Sequence, residues 1–454
     1  LFSIEEIARI VRGELVGDGV LVPTGFAVDS RRVAPGDLFF ALPGARVDGR
    51  AFVDEAMARG ACGAVLADPA RRPTPSSPTI VVDDAHQALH DVARAWRARF
   101  SIPIVAITGS NGKTTTKALV AHLAGGTFVV HVAQENYNTD IGLPLALLAM
   151  PPGTEMGVFE LGADRPGDIA LLVRLLHPTV GLVTSVGQSH LEAFGTTERV
   201  ANEKWDLVRG LPPGAAAFVN ADSPELAALA AAERRPSLFG VGLAHGEVRA
   251  RILTAVPRLT LVVGDPPLRL ETDLVGEHNA TNLLLAALCA HRLGVPLPML
   301  EERAATFRPV PHRMERRPVR CGVLLDDVYN ANPSSMSFAL RTLAAFGDAS
   351  TRRAVVFGDM LELGERSAAL HDEVARLALG LPIDLIYPVG ERAGAAFGAR
   401  ADSRVHPVER GRVAADLVGR LEGEMNAVIL VKGSRGMRLE EIVEDIVRLS
   451  SPGS

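Results

Sequence analysis

The chain has 454 residues, 47% of them hydrophobic, and a formal net charge of −6 with both signs interspersed. That length supports about three domains with separate cores. The charge balance excludes a basic face for nucleic acid and a polybasic anchor for an anionic membrane, which leaves small molecules as the expected partners.

No apolar run approaches the roughly 20 residues of a membrane-spanning helix. The 3 cysteines, Cys62, Cys289 and Cys321, lie in apolar surroundings and read as small core residues of a reducing compartment. Acids in the opening LFSIEEIARI, where a signal peptide would carry lysines, agree with an expected cytoplasmic location.

In chain order, residues 4–11 read as an amphipathic helix, then strand-like runs at 37–42 and 64–67 alternate with helical pieces at 52–59 and 86–99. RRPTPSSP at 71–78 is a loop, and residues 95–102 read as a hinge that sets a boundary near 100. Strands follow at 102–108, 128–132, 156–161, 180–186 and 216–220. Their continuous apolar character predicts a parallel sheet buried on both faces, whose ligands sit at the strands' carboxyl ends. Alternation over 249–273 around Gly264-Asp265-Pro266 predicts a hairpin, and 279–293 a helix. After a break at 309–311, strands at 323–326, 354–357, 385–389 and 428–431, each followed by a helical pattern, predict another α/β unit.

IPIVAITGSNGKTTTK, at 102–117, places a glycine-broken turn between a strand and a helix. Backbone N–H groups at 110–114 and the positive helix end would face an anion, Lys113 would neutralise phosphate and Thr114 could offer its hydroxyl to magnesium. The strict Walker pattern needs glycine where Ile107 stands. The motif is therefore a shortened variant, GSNGKT, running from Gly109 through Ser110, Asn111, Gly112 and Lys113 to Thr114, with Thr115 next. A plain turn would need no Gly-Lys-Thr-Thr tail, so a nucleoside triphosphate is expected.

Glu160 ends a predicted strand and His190 follows another. Near a triphosphate they could complete a magnesium site; alternatively they are a strand-end acid and a loop histidine. Lys204, between Glu203 and Asp206 on a predicted helix, reads on its own as a solvated helix-face lysine. Asp326-Asp327, followed by Asn330, Asn332 and Pro333, could hold ribose hydroxyls or water on a metal; alternatively it forms an Asx-rich turn and helix cap. Residues 358–364 with His371, and Lys432-Gly433-Ser434-Arg435, occupy equivalent strand ends and suggest a second binding face.

Together these stretches resemble the Mur ligase family over nearly the whole chain, and VYNANPSSM and GDMLELGE match its branch that adds D-alanyl-D-alanine. The resemblance implies an α/β fold of three domains. A smaller N-terminal α/β domain at 1–100 would bind the UDP substrate, a central P-loop parallel sheet with helices on both faces at 101–310 would bind ATP, and a C-terminal Rossmann-like domain at 311–454 would bind the incoming dipeptide. It implies a monomeric, ATP-dependent amide ligase of peptidoglycan precursor synthesis that joins D-alanyl-D-alanine to UDP-N-acetylmuramoyl-tripeptide through an acyl phosphate.

By the same resemblance, Ser30, Arg31 and the Asp48-Gly49 turn recognise the uridine nucleotide, with Arg50 where the family usually has histidine. ENYNTDIGLP supplies Asn136, Asn138, Gly142 and Pro144. Glu160 and His190 match magnesium ligands, and Lys204 matches a lysine that is carbamylated to an anionic donor for a second magnesium, which overrides the solvated reading. Lys113, His190 and Lys204 are the implied catalytic residues. Asn279, with Asn282 beside it, would contact adenine. Arg313 matches an interdomain arginine, with His312 where glycine is usual. Asp327 is assigned to ATP, and Asn330, Asn332, Asp359 and Glu362 to substrate. An open arrangement is expected without ligands. The alternatives are a sibling amide ligase, either the diamino-acid-adding one or a folylpolyglutamate synthetase, and a nucleotide-gated regulatory ATPase.

Overall fold

The computed structural model describes residues 1–450 apart from 45–46, 68–76, 135–136, 188–190, 234 and 236, with backbone alone at 191–192. Among the described residues the chain forms three sheets, each from a contiguous stretch. The first has the order Glu14–Val16, Thr79–Val81, Gly63–Leu66, Asp37–Phe40, Gly25–Ala27. Its three-residue strands escape sequence reading because so short a run shows no period.

The central sheet runs Leu268–Thr272, Leu259–Val263, Val248–Thr254, Leu238–Gly242, Ala216–Asn220, Val180–Val183, Ile104–Thr108, Met156–Glu160, Val130–Val132. Pairing is parallel from Val130–Val132 across to Val248–Thr254, and the last two strands add as an antiparallel hairpin. Ile104 and Ala106 enter one apolar cluster while Val105 and Ile107 enter another. Side chains alternate across a strand, so this is a sheet covered on both faces, and it explains why its strands read as unbroken apolar runs.

One of those clusters also contains Leu38, Phe40, Val65 and Ile80 of the first sheet and Trp96 of the helix Ala85–Arg97. The first two units therefore share one apolar cluster, although each also keeps a cluster of its own. The segment expected to hinge is pinned: Trp96 Nε1 donates to the Met150 carbonyl at 3.1 Å, and the Arg97 guanidinium donates to the carbonyls of Leu176, Phe100 and His177.

The third sheet has the order Glu315–Val319, Gly322–Asp327, Ala427–Lys432, Arg352–Gly358, Leu385–Val389. Its first strand, antiparallel and rich in arginine, is absent from the sequence-based expectation; the other pairs are parallel. Helices again bury both faces. No described helix is long and apolar enough to cross a membrane.

Candidate active site

The carboxyl ends of three adjacent central strands meet at the phosphate loop, because Ile107 pairs with Glu160 on one side and Thr108 with Val183 on the other. Gly109 and Gly112 have φ of +145° and +84°, and a Cβ would strike Thr184 at the first and Asn282 at the second, so both positions require glycine. The helix Lys113–Ala124 then starts at Gly112 without a side-chain cap. Its first-turn N–H groups are thus left without a side-chain partner, the arrangement an anion would satisfy. That cradle is narrower than the sequence suggested. Ser110 N–H donates to the Ser185 carbonyl and Asn111 N–H to the Ser185 hydroxyl, both at 2.9 Å, so these two amides brace the loop.

The loop floors a cavity of about 930 Å³ that also takes in Asn138, Glu160, Lys204, Asn279, Arg313, Asp327, Asn330, Asn332 and Glu362. Glu160 is only 7% exposed. Its carboxylate accepts from the Thr114 hydroxyl at 3.0 Å and the Asn138 amide at 3.1 Å. Burial pushes its pKa up, but Lys113, Lys117 and Arg313 together bring it below the usual carboxylate range. It stands ionised beside a hydroxyl, which is the hard oxygen donor set a magnesium ion takes. Lys113 donates to the Gly109 carbonyl at 2.8 Å, and burial, opposed by Glu160, lowers its pKa.

Lys204 is 2% exposed, which rules out the solvated-lysine reading. Burial first, then repulsion from Lys113, brings its pKa down to about 7 despite Glu203, Asp164 and Asp168. Lys117, which the sequence reading passed over, is 4% exposed; it donates to the Ala133 carbonyl at 3.0 Å and lies 3.9 Å from Glu160. Its position one helical turn after Lys113 was the signal available.

The last domain is seated on the loop. Arg313 donates to Thr114 at 3.2 Å and lies 3.7 Å over the Tyr329 ring, while Asn332 donates to the Asn111 side chain at 2.8 Å. His312 adopts φ of +61°, the conformation the usual glycine would provide, and its Nδ1 bonds the buried Asp326 at 2.9 Å. Asn332 also caps the helix Pro333–Ala345 in a capping box with Ser335, so the turn and the site are one structure. Asp327 pairs with buried Lys432 at 2.6 Å, and the Asn279 side chain is held by Val275 and Asn282; both border the cavity with these bonds already made.

Asp359 does not join this wall: its carboxylate accepts from the N–H groups of Arg392 and Ala393 at the start of the helix Glu391–Gly398. Ser30, Arg31 and Asp48 lie elsewhere, bonded to Glu55, Asp29 and Arg50. Asn136 and His190 fall outside the described residues. Gly187, just before His190, donates its N–H to Ser110 at 3.0 Å.

Three family models match in succession: the Mur ligase family catalytic domain over residues 24–97, the Mur ligase middle domain over 107–290 and the Mur ligase glutamate ligase domain over 312–446. UDP-N-acetylmuramoyl-tripeptide–D-alanyl-D-alanine ligase of Bacillus subtilis is 30% identical over 98% of both chains. The chain belongs to the Mur ligase family. As a Mur ligase it is an ATP-dependent enzyme that forms a C–N bond. Crystal structures of MurF agree with the fold: that from Acinetobacter baumannii has a TM-score of 0.89 at 26% identity and covers 98% of this chain and 99% of its own. MurF from Thermotoga maritima, solved with ADP, has a TM-score of 0.82 at 28% identity and covers 93% of this chain and 97% of its own.

Proposed function

We propose that this Mur ligase joins D-alanyl-D-alanine to the terminal carboxylate of UDP-N-acetylmuramoyl-tripeptide, with ATP cleaved to ADP and phosphate, as a step of peptidoglycan precursor synthesis. The observation that carries this reading is the convergence, in one cavity, of the uncapped phosphate-loop helix, Glu160 and the last domain's Asn330, Asn332 and Glu362. The names of the full-length relatives agree with it.

In this reading the tripeptide carboxylate attacks the γ-phosphate to form an acyl phosphate and ADP. The dipeptide's neutral amine then attacks the acyl carbon, a C–N bond forms, and phosphate leaves. Lys113 and the helix N-terminus meet the charge that grows on the phosphoryl oxygens, and Arg313 approaches from the last domain. Thr114 and Glu160 fit magnesium, which when bound supplies charge neutralisation for the polyphosphate. Ser30, Arg31 and Asp48 do not border the cavity, which suits the far end of a long UDP-linked substrate, and a cytoplasmic location follows from such substrates.

Lys204 fits the carbamate expectation, since a neutral buried amine can add carbon dioxide, release a proton and become an oxygen donor for a second magnesium. Enzyme equilibrated with 13C-bicarbonate will show a carbamate carbon resonance that Lys204→Gln lacks; the same spectrum from both proteins would refute the modification.

The function itself is tested by amine dependence. ADP release should require tripeptide and D-alanyl-D-alanine together, and fall to background when either is left out. Steady release without them would identify a regulatory ATPase instead.

A further inference from the structure

The cations around the cavity are mostly committed. Lys113 serves the loop, Arg313 donates to Thr114, Lys432 is paired with Asp327, and Lys204 lies among Glu203, Asp164 and Asp168. Arg165 lines the cavity from the central domain. Beside the last domain's wall, exposed and outside the cavity lining itself, stands Arg435, whose guanidinium makes no hydrogen bond or ion pair among the described residues. It stands 5.5 Å from the centre of the Tyr329 ring, which Arg313 also covers.

The turn that presents Arg435 is fixed to that wall. Ser434 donates to the Ala331 carbonyl at 3.1 Å and accepts from Leu361 N–H at 2.8 Å, and its own N–H donates to the Asp359 carbonyl at 3.0 Å. Arg435 N–H donates to Asn330 Oδ1 at 3.4 Å. Gly436 is packed so closely that an added Cβ would lie 2.9 Å from Leu361. Tyr329, Asn330 and Leu361 all line the cavity, and Arg435, though not part of that lining, is held next to it by its contact with the Tyr329 ring and its N–H bond to Asn330.

The incoming dipeptide has two charged ends. Its amine must reach the acyl carbon as a neutral nucleophile, whereas its carboxylate takes no part in the chemistry and needs a cation some way from the phosphate loop. We propose, resting on the function given above, that Arg435 is the specificity residue that binds this carboxylate. A dipeptide sets its carboxylate about 3.8 Å farther from the amine than a single amino acid does. A cation beside the cavity, separate from the cations of the phosphate loop, therefore selects the longer substrate, and a guanidinium matches a carboxylate in two-point geometry.

The test compares D-alanyl-D-alanine with D-alanyl-ethylamide, which keeps the amine and lacks the carboxylate. For the unaltered enzyme, KM for the ethylamide should be roughly 30-fold higher, the scale of one charge-assisted hydrogen-bonded pair. Arg435→Met should raise KM for D-alanyl-D-alanine by about the same factor and remove the difference between the two amines. Its kcat, its KM for ATP and tripeptide, and its melting temperature should stay close to the unaltered values, and Arg435→Lys should recover part of the discrimination. If Arg435→Met still prefers the carboxylate-bearing amine by the full factor, the inference is wrong although the function stands. Unaltered enzyme that ligates no D-alanyl-D-alanine would overturn the function, and this inference with it.

Discussion

Lys113→Ala will lower ADP release by about 10³-fold or more, with the fold intact, as judged by an unchanged far-UV spectrum. The size follows from position. Lys113 is the first residue of the phosphate-loop helix, and its ammonium donates to the Gly109 carbonyl and feels the charge of Glu160. In so buried a place a fixed cation acts on developing phosphoryl charge with little screening, and one such donor is worth on the order of 10²–10³ in rate even when others remain. Alanine also leaves Glu160 with one cation fewer, which compounds the loss. The helix start depends on Gly112 and not on the lysine, so the protein should still fold. Activity within tenfold of the unaltered enzyme would remove the loop from the reaction.

Glu160→Gln should be nearly as severe, for a different reason. The glutamine has the same shape and can still meet Thr114 and Asn138, but it cancels the negative charge set among Lys113, Lys117 and Arg313. Divalent-cation binding, followed by manganese titration in the presence of ADP, should weaken by about 10²-fold, because a carboxylate is the preferred partner of a hard cation. Turnover at millimolar magnesium should fall on the same order. An unchanged manganese affinity would show that Glu160 only braces Thr114.

Much of this site could be read from the chain alone, and the reason is physical. Strands such as Ile104–Thr108 are buried on two faces, so they stand out as apolar runs, and the residue that ends each run falls where ligands gather. Glu160 and Asp327 were legible for that reason. Burial on a helix is harder to see: Lys204 sits in an acidic stretch that looks solvated, and only the fold shows it enclosed. Long-range hydrogen bonds leave no trace in sequence. Ser185 takes up two amides expected for phosphate, and Asp359 spends its carboxylate on a neighbouring helix although its strand-end position looked like that of Asp327. The shared apolar cluster of the first two units and the seating of Asn332 on Asn111 are likewise contacts between distant segments, which no local pattern encodes.

In the proposed reaction a carboxylate is activated by phosphoryl transfer in the cavity over the phosphate loop. Tripeptide labelled with 18O at both oxygens of its terminal carboxylate tests this directly, with mass spectrometry of the phosphate released during a full reaction with ATP and D-alanyl-D-alanine. Phosphate carrying one 18O atom for each amide formed is the expected result. Unlabelled phosphate released alongside newly formed amide would contradict it, because the carboxylate oxygen would then never have been bonded to phosphorus.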